Sequence, residues 1–312
     1  LKALLAGLGA GALWGLAFVA PDLVRPATPV QLTALRYLVF GLSSAVVLVA
    51  LPCGGWRWIT KRYWRRLLCL ALTGNTLYYL LLSEAVQRSG SILPAMIIGI
   101  LPVVIAIVGG IRQPAFHLGR FIVPGCLILV GLFLHMHEAA GDVGFASGTI
   151  PWIGIVCAVA ALLSWTVYGI LNAETLAADP SINAAAWTAL TGVATLTTLA
   201  PLTLLVRGVD AGPWHGEPTL YALLFWALCL GLLSSWAATW LWNIASGRMR
   251  SELLGYLIVS ETVFGVIFAL MVDQRTPSLM EVLGLAALMV GVLLGIRAAT
   301  KVNTDIEPKA PV

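Results

Sequence analysis

The sequence predicts an all-α polytopic membrane protein, with ten transmembrane helices arranged as two inverted five-helix repeats. Three observations carry this reading. Of the 312 residues 60% are apolar and 10% charged, with a mean hydropathy of +0.94, against roughly 25% charged in soluble domains, and a water-soluble globular fold is excluded. The apolar residues fall into ten runs, most of them near the length of about 20 residues that a helix needs to cross a bilayer. The chain also aligns with itself at a shift of about half its length.

In chain order the spans cover about 3–20, 31–51, 67–86, 91–111, 119–137, 151–172, 182–206, 219–243, 251–272 and 279–298, bounded by Pro, Gly or charge. The first follows Lys2 and resembles a signal peptide. Its length, the lack of an A-x-A site and its partner later in the chain make it a retained helix. With the N-terminus inside, inner segments collect Lys2, Arg57, Lys61, Arg62, Arg65, Arg66, Arg112, Arg120, Arg248, Arg250, Arg297, Lys301 and Lys309. The outer ones hold Arg25, Arg88, Arg207 and Arg275. This asymmetry predicts cytoplasmic N- and C-termini in a bacterial-type inner (plasma) membrane. The net charge of +4 is thus an orientation signal, and no nucleic-acid partner is expected. Trp56, Trp58, Tyr63 and Trp64 lie among the basic residues of the second inner segment and read as headgroup anchors.

A shift of 160 pairs Leu68-Cys69-Leu70 with Leu228-Cys229-Leu230, and Ala85, Arg88 and Ser91 with Ala245, Arg248 and Ser251. It also pairs Val130-Gly131 with Val290-Gly291, while a shift of 151 pairs Trp14 with Trp165, Pro29 with Pro180, Ala34 with Ala185 and Gly41 with Gly192. Five is odd, so a second five-helix copy enters the membrane with opposite orientation, an architecture of secondary transporters with the site near midplane between the halves. The first repeat is placed at 1–137, an outer linker at 138–150, the second repeat at 151–300 and a cytoplasmic tail at 301–312.

Trp14-Gly15 in the first span, Leu35-Arg36-Tyr37 opening the second, Ala85 to Ser91 joining the third and fourth, Pro102 in the fourth and Glu261 in the ninth form an ordered set. In these residues the chain resembles the drug/metabolite transporter superfamily, ten-helix proteins built from two EamA-type repeats, over nearly its whole length. Thr262 departs from the pattern, standing where many members place Pro after the acidic residue, and puts the kink expected there in question. Within the superfamily the chain most resembles YddG-type exporters of aromatic amino acids. The resemblance implies a transporter, not an enzyme, exporting aromatic and other neutral amino acids or similar metabolites by alternating access. With few buried charges to form a relay, facilitated diffusion is preferred; the alternative is a broad-specificity drug or cation exporter coupled to protons through Glu261.

Ionisable groups deep in a bilayer are costly and need a reason. Glu261 stands near the middle of the ninth span, Arg36 early in the second and Glu84 near the outer end of the third. Two roles stay open to Glu261: binding a proton or cationic group, and hydrogen bonding to neighbouring helices while protonated. Arg36 either snorkels to the outer headgroups or faces inward and holds a carboxylate. Asn75, Tyr78, Tyr79 and Leu82 share one face of the third span, and Ser235, Thr239 and Trp242 occupy equivalent places in the eighth. Such aromatic and polar walls suit a ring-shaped amphipathic solute, with helix packing and interfacial anchoring as the other reading. Trp14 and Trp165, each near the middle of its span, and Tyr168 and Asn172 beyond, complete the expected substrate-binding set. The expected site is lined by spans 1, 3, 4, 6, 8 and 9.

Gly7, Gly11 and Gly15, like Ala287, Gly291 and Gly295, form small-residue stripes that let helices approach closely. Pro94, Pro102 and Pro124 supply hinges, unwound carbonyls or static kinks. His135-x-His137-Glu138 reads as a solvated cap rather than a metal site, since two His two apart on a helix diverge. Five cysteines without CxxC spacing imply no disulfide framework or zinc site. No phosphate loop, nucleophile elbow or membrane-compatible dinucleotide motif is present, so neither cofactor nor metal is expected. The expected partners are a small-molecule substrate and the lipid bilayer, with monomer and homodimer both open.

Overall fold

The computed structural model describes residues 2–51, 54–110, 118–141, 151–208, 217–246 and 251–304, in which all regular structure is helical. The first span is α1 (Lys2–Leu23) and the second α2 (Pro29–Ala50). The third comprises α3 (Gly54–Leu70), a π-helical segment (Ala71–Thr76) and α4 (Leu77–Ser89), and the fourth is α5 (Ile92–Ile98) followed by α6 (Leu101–Gly110). A 3₁₀ turn (Leu118–Phe121) leads into α7 (Ile122–Gly141). The second half has α8 (Trp152–Ala178) and α9 (Ala184–Gly208), then α10 (Glu217–Cys229), a π segment (Leu230–Ala237) and α11 (Ala238–Ser246). It ends with α12 (Ser251–Val272) and α13 (Leu279–Thr304). Seven of these elements are long and apolar enough to cross a membrane, and Ile92–Ile105, Gly119–His135 and Leu257–Val272 are shorter apolar helices that complete ten.

Local chemistry sets several boundaries. Thr28 and Gln31 form a reciprocal capping box, with Pro29 at the first helical position, where its missing N–H costs nothing. Gly90, at φ 75°, ends α4 in a conformation that side chains disfavour. The fourth span breaks at Gly99–Ile100, just before Pro102, which cannot donate to the preceding turn. α12 runs uninterrupted through Thr262, as the absence of Pro there allows. The third span begins at Gly54 rather than near 67, because Lys and Arg are good helix formers and one face of α3 is apolar. On that face Ile59, Leu67 and Leu70 are buried beside Trp187, with Trp56, Trp58 and Tyr63 packed around them. Those three aromatics therefore hold α3 against α9, whereas Trp64 is exposed.

The principal interfaces join α1 to α12, α2 to α9, α4 to α8 and α7 to α13, each linking the first half of the chain to the second. The smaller contacts of α8 with α5 and of α1 with α11 are what a two-fold exchange of the halves makes of the first and third of these. Lipid tails are as apolar as Leu, so close packing and interhelical hydrogen bonds have to hold such helices together. Gly11 and Gly15 lie against Ser260 and Phe264 of α12, and Gly291 against Pro124 and Ile128 of α7. The surface is apolar, with Val46, Val49, Ile122, Phe133, Val156 and Leu279 exposed, while Thr33, Ser44, Thr188, Thr195 and Ser234 are buried. Apolar residues thus cover the surface as well as filling the core, as a hydrocarbon solvent allows.

His135 differs from its expected place as a solvated cap. It is buried, with Nδ1 3.9 Å from a Glu281 carboxylate oxygen, because that face of α7 packs on α13. His137 stacks on Phe133, and the Glu138 side chain lies outside the described residues. Among the described residues no group of three or more His, Cys, Asp or Glu converges, and Cys69, Cys126, Cys157 and Cys229 are free thiols. Cys53, Arg112, Arg248, Arg250 and Lys309 lie outside the described residues.

Candidate functional site

The two π segments are counterparts under the 160-residue shift, Ala71–Thr76 in the first half and Leu230–Ala237 in the second. A π turn widens the helix and frees carbonyls from the regular ladder, and such turns gather at functional sites. The Thr73 carbonyl accepts from Ser164 Oγ of α8 at 2.8 Å, and Asn75 Nδ2 donates to Thr195 Oγ1 of α9 at 2.9 Å. Thr76 and Thr198 hydroxyls pair one turn further on.

Between the two segments lies a cavity. Trp14 and Ala17 of α1 face it, as do Arg36 and Tyr37 of α2 and Gly74, Asn75 and Tyr78 of the third span. The second half contributes Trp165 and Tyr168 of α8, Ser234, Ser235 and Thr239 of the eighth span, and Glu261 of α12. Its free volume for water is about 30 Å³, room for one or two water molecules. An amino acid requires the walls to part.

The aromatic wall is continuous. Trp14 and Trp165, paired by the repeat, meet edge to face at 6.3 Å between ring centroids. Trp165 in turn neighbours Tyr168 at 5.3 Å and Tyr78 at 6.5 Å, while Trp242 sits 5.5 Å from Trp14. Tilted and edge-to-face contacts of this kind are the arrangements that aromatic rings prefer.

Arg36 faces inward and does not snorkel, being only 4% exposed. Its Nε donates to Ser235 Oγ at 2.9 Å and Nη2 to Ser234 Oγ at 3.2 Å. Its guanidinium carbon lies 4.0 Å from the centroid of the Tyr79 ring and 5.2 Å from that of Tyr37. Among the described residues Nη1 has no hydrogen-bond partner. Glu261, 6% exposed, lines the same cavity from the opposite half of the chain.

Of the residues expected at the site, Trp14, Asn75, Tyr78, Trp165, Tyr168, Ser235, Thr239, Arg36 and Glu261 line this cavity. Tyr79 lies behind it as the platform under Arg36, and Trp242 is behind Trp14. Asn172 is elsewhere, accepting from the Trp187 indole. Span 2 takes part, although the expected lining omitted it, and span 4 does not. Tyr37 and Ser234 were the missed polar residues. Tyr37 adjoins Arg36 in the second-span motif, which was a usable signal; Ser234 had none, because regular helical spacing sets it off the face of Ser235 and Thr239, and only the π turn brings both serines to one guanidinium.

At one end of the bundle the halves meet through polar contacts. The Tyr63 hydroxyl donates to Asp179 Oδ2 at 3.1 Å, Arg62 lies 3.9 Å from the same oxygen, and Arg66 lies 3.8 Å from Glu174. The Ser181 hydroxyl on Asp179 is the main cause that holds this carboxyl below its ordinary range, with Tyr63 and Arg62 adding to it against partial desolvation.

Comparison with known proteins fits this architecture. One solved crystal structure superposes with a TM-score of 0.64 at 20% identity, over 96% of this chain and 98% of that one, a likeness of fold. The chain is 32% identical over 322 aligned positions to the inner membrane protein YtfF of Escherichia coli strain K12, covering 96% of this chain and 94% of YtfF. The model of the EamA-like transporter family matches twice, at residues 1–136 and 152–297. With a family match in each half around a shared central cavity, the chain belongs to the EamA-like transporter family and is a membrane transporter of the drug/metabolite superfamily.

Proposed function

We propose that this transporter exports aromatic and other neutral amino acids by alternating access, the repeats at 1–137 and 151–300 rocking about the central cavity. The observation that carries the reading is the aromatic wall running from Trp242 through Trp14 and Trp165 to Tyr78 and Tyr168, where elements of both halves meet. The small free volume of about 30 Å³ fits a contracted state that widens toward one face at a time. The substrate class and the outward direction rest on the sequence resemblance to YddG-type exporters; the relative YtfF carries neither in its name. The name of YtfF supports an inner-membrane location, and the charge asymmetry supports cytoplasmic termini. Flux runs down the substrate gradient.

A second reading has one specific observation behind it. Glu261 is buried in the cavity wall, the place for a proton or cation site in a drug or cation exporter. Uptake of labelled tryptophan, phenylalanine and threonine into proteoliposomes, with and without a pH gradient, separates the two. Saturable flux indifferent to the gradient supports the facilitator; gradient-driven flux abolished by Glu261→Gln and blocked by a quaternary ammonium supports the exporter. No flux of any amino acid overturns the substrate assignment.

A further inference from the structure

We infer that Arg36 and Glu261 form a two-charge subsite that holds the α-carboxylate and α-ammonium of one ligand, so that the cavity selects zwitterions over lone amines and lone acids carrying the same ring. This rests on the amino-acid reading above and assigns its chemistry to named atoms.

A guanidinium has five N–H donors in a fixed plane. In Arg36 one edge is spent on Ser234 and Ser235 and one face lies on the Tyr79 ring. Nη1, buried and without a partner, is the edge that remains, and it belongs to a residue lining the cavity. A buried charge with unmet donors is strongly disfavoured. The group that meets two parallel N–H donors best is a carboxylate. The two serines hold the guanidinium in a fixed orientation before a ligand arrives.

Glu261 supplies the opposite charge from the other half of the chain. Arg36 and Glu261 line one cavity from the two halves of the chain. An amino acid carries both charges on substituents of one carbon. Its carboxylate at Nη1 and its ammonium at Glu261 leave the side chain to meet Trp14, Trp165 and Tyr78. The charges then balance within the cavity. A lone amine leaves the Arg36 edge unmet, and a lone acid leaves Glu261 facing no cation. A phosphorylated solute brings more negative charge than one guanidinium can match. Because Arg36 and Glu261 sit in different repeats, a ligand that bridges them touches both bodies that move.

The test is competition against uptake of labelled tryptophan by the full chain in proteoliposomes. Competitors are tryptophan, tryptamine, which lacks the carboxylate, and indole-3-propionate, which lacks the ammonium. Each missing charge-assisted contact should weaken competition about tenfold or more. Arg36→Gln should erase the advantage of tryptophan over tryptamine, and Glu261→Gln its advantage over indole-3-propionate. The wild-type comparison decides alone where a variant does not fold. Tryptophan flux with tryptamine or indole-3-propionate competing equally well overturns the subsite and leaves the amino-acid reading standing. Absence of tryptophan flux and competition overturns that reading and the subsite with it.

Discussion

The indole N–H of Trp187 donates to Asn172 Oδ1 at 2.7 Å, tying α8 to α9 through two buried side chains about one turn along α8 from Tyr168 of the cavity wall. This bond gives Asn172 a packing role. Asn172→Leu should leave the indole N–H unpaired and cost about 1–3 kcal/mol of stability. Thermal unfolding in detergent should show a lower midpoint, while tryptophan flux per folded molecule stays at the wild-type level. A loss of flux without a loss of stability would return Asn172 to the transport path.

Gly131 of α7 makes a sharper prediction about packing. A Cβ there would stand 2.5 Å from the Gly284 carbonyl oxygen and 2.9 Å from the Leu288 nitrogen of α13, both backbone atoms that cannot swing away. Gly125, on the same helix, has open space at the equivalent point. Gly131→Ala should therefore destabilise by about 1–3 kcal/mol through overpacking. Gly125→Ala should be neutral or stabilising by up to about 1 kcal/mol through helix propensity. Equal midpoints for the two variants would show that α7 and α13 are free to separate.

Asp179 predicts a pH dependence at the end of the bundle where it meets α3. Its folded carboxyl is held below the ordinary value of 3.8, first by Ser181 and then by Tyr63 and Arg62. A depressed carboxyl stabilises the fold above its unfolded pKa, and the contribution is lost as pH falls through the folded value. Wild type should thus melt above Asp179→Asn at neutral pH, and the gap should narrow as pH falls below 3.8. A gap that persists in acid would assign the effect to packing rather than charge.

The ten spans and the two halves were legible because hydrocarbon imposes a length and a composition that few other folds share. The pairing of Trp14 with Trp165 was legible too, since the repeat displays it in sequence and the rings meet in space. The π segments were not, because one extra residue per turn leaves no mark in an apolar run, and Ser234 was missed with them. The role of α3 was half legible. Its Trp and Tyr residues read as headgroup anchors, yet Tyr63 also packs edge to face with Trp187 at 6.0 Å, a contact that sequence separation hides. Arg36 had two open positions in sequence; Ser234 and Ser235, 198 and 199 residues away, draw it inward.

Gly74 and Tyr168 give the last prediction, which links the π segment to the cavity. Gly74 lies in the π turn of the third span, and a Cβ on it would overlap the Tyr168 ring at Cδ2 and Cγ, near the root of the ring rather than at its tip. The ring cannot bend away at that point, so it has to tilt as a whole. Both residues line a cavity with only about 30 Å³ free, and the tilt therefore changes the space in which a ligand ring must fit. Gly74→Ala should raise the KM for tryptophan about tenfold, the effect expected from losing one well-placed apolar contact of roughly 1–2 kcal/mol. Tyr168→Leu shortens the opposing side chain, and the double variant should recover part of the loss. That recovery is the decisive readout, because a merely destabilised helix would show additive damage in the double variant. Full additivity in KM would separate Gly74 from Tyr168 and remove the π turn from the substrate site.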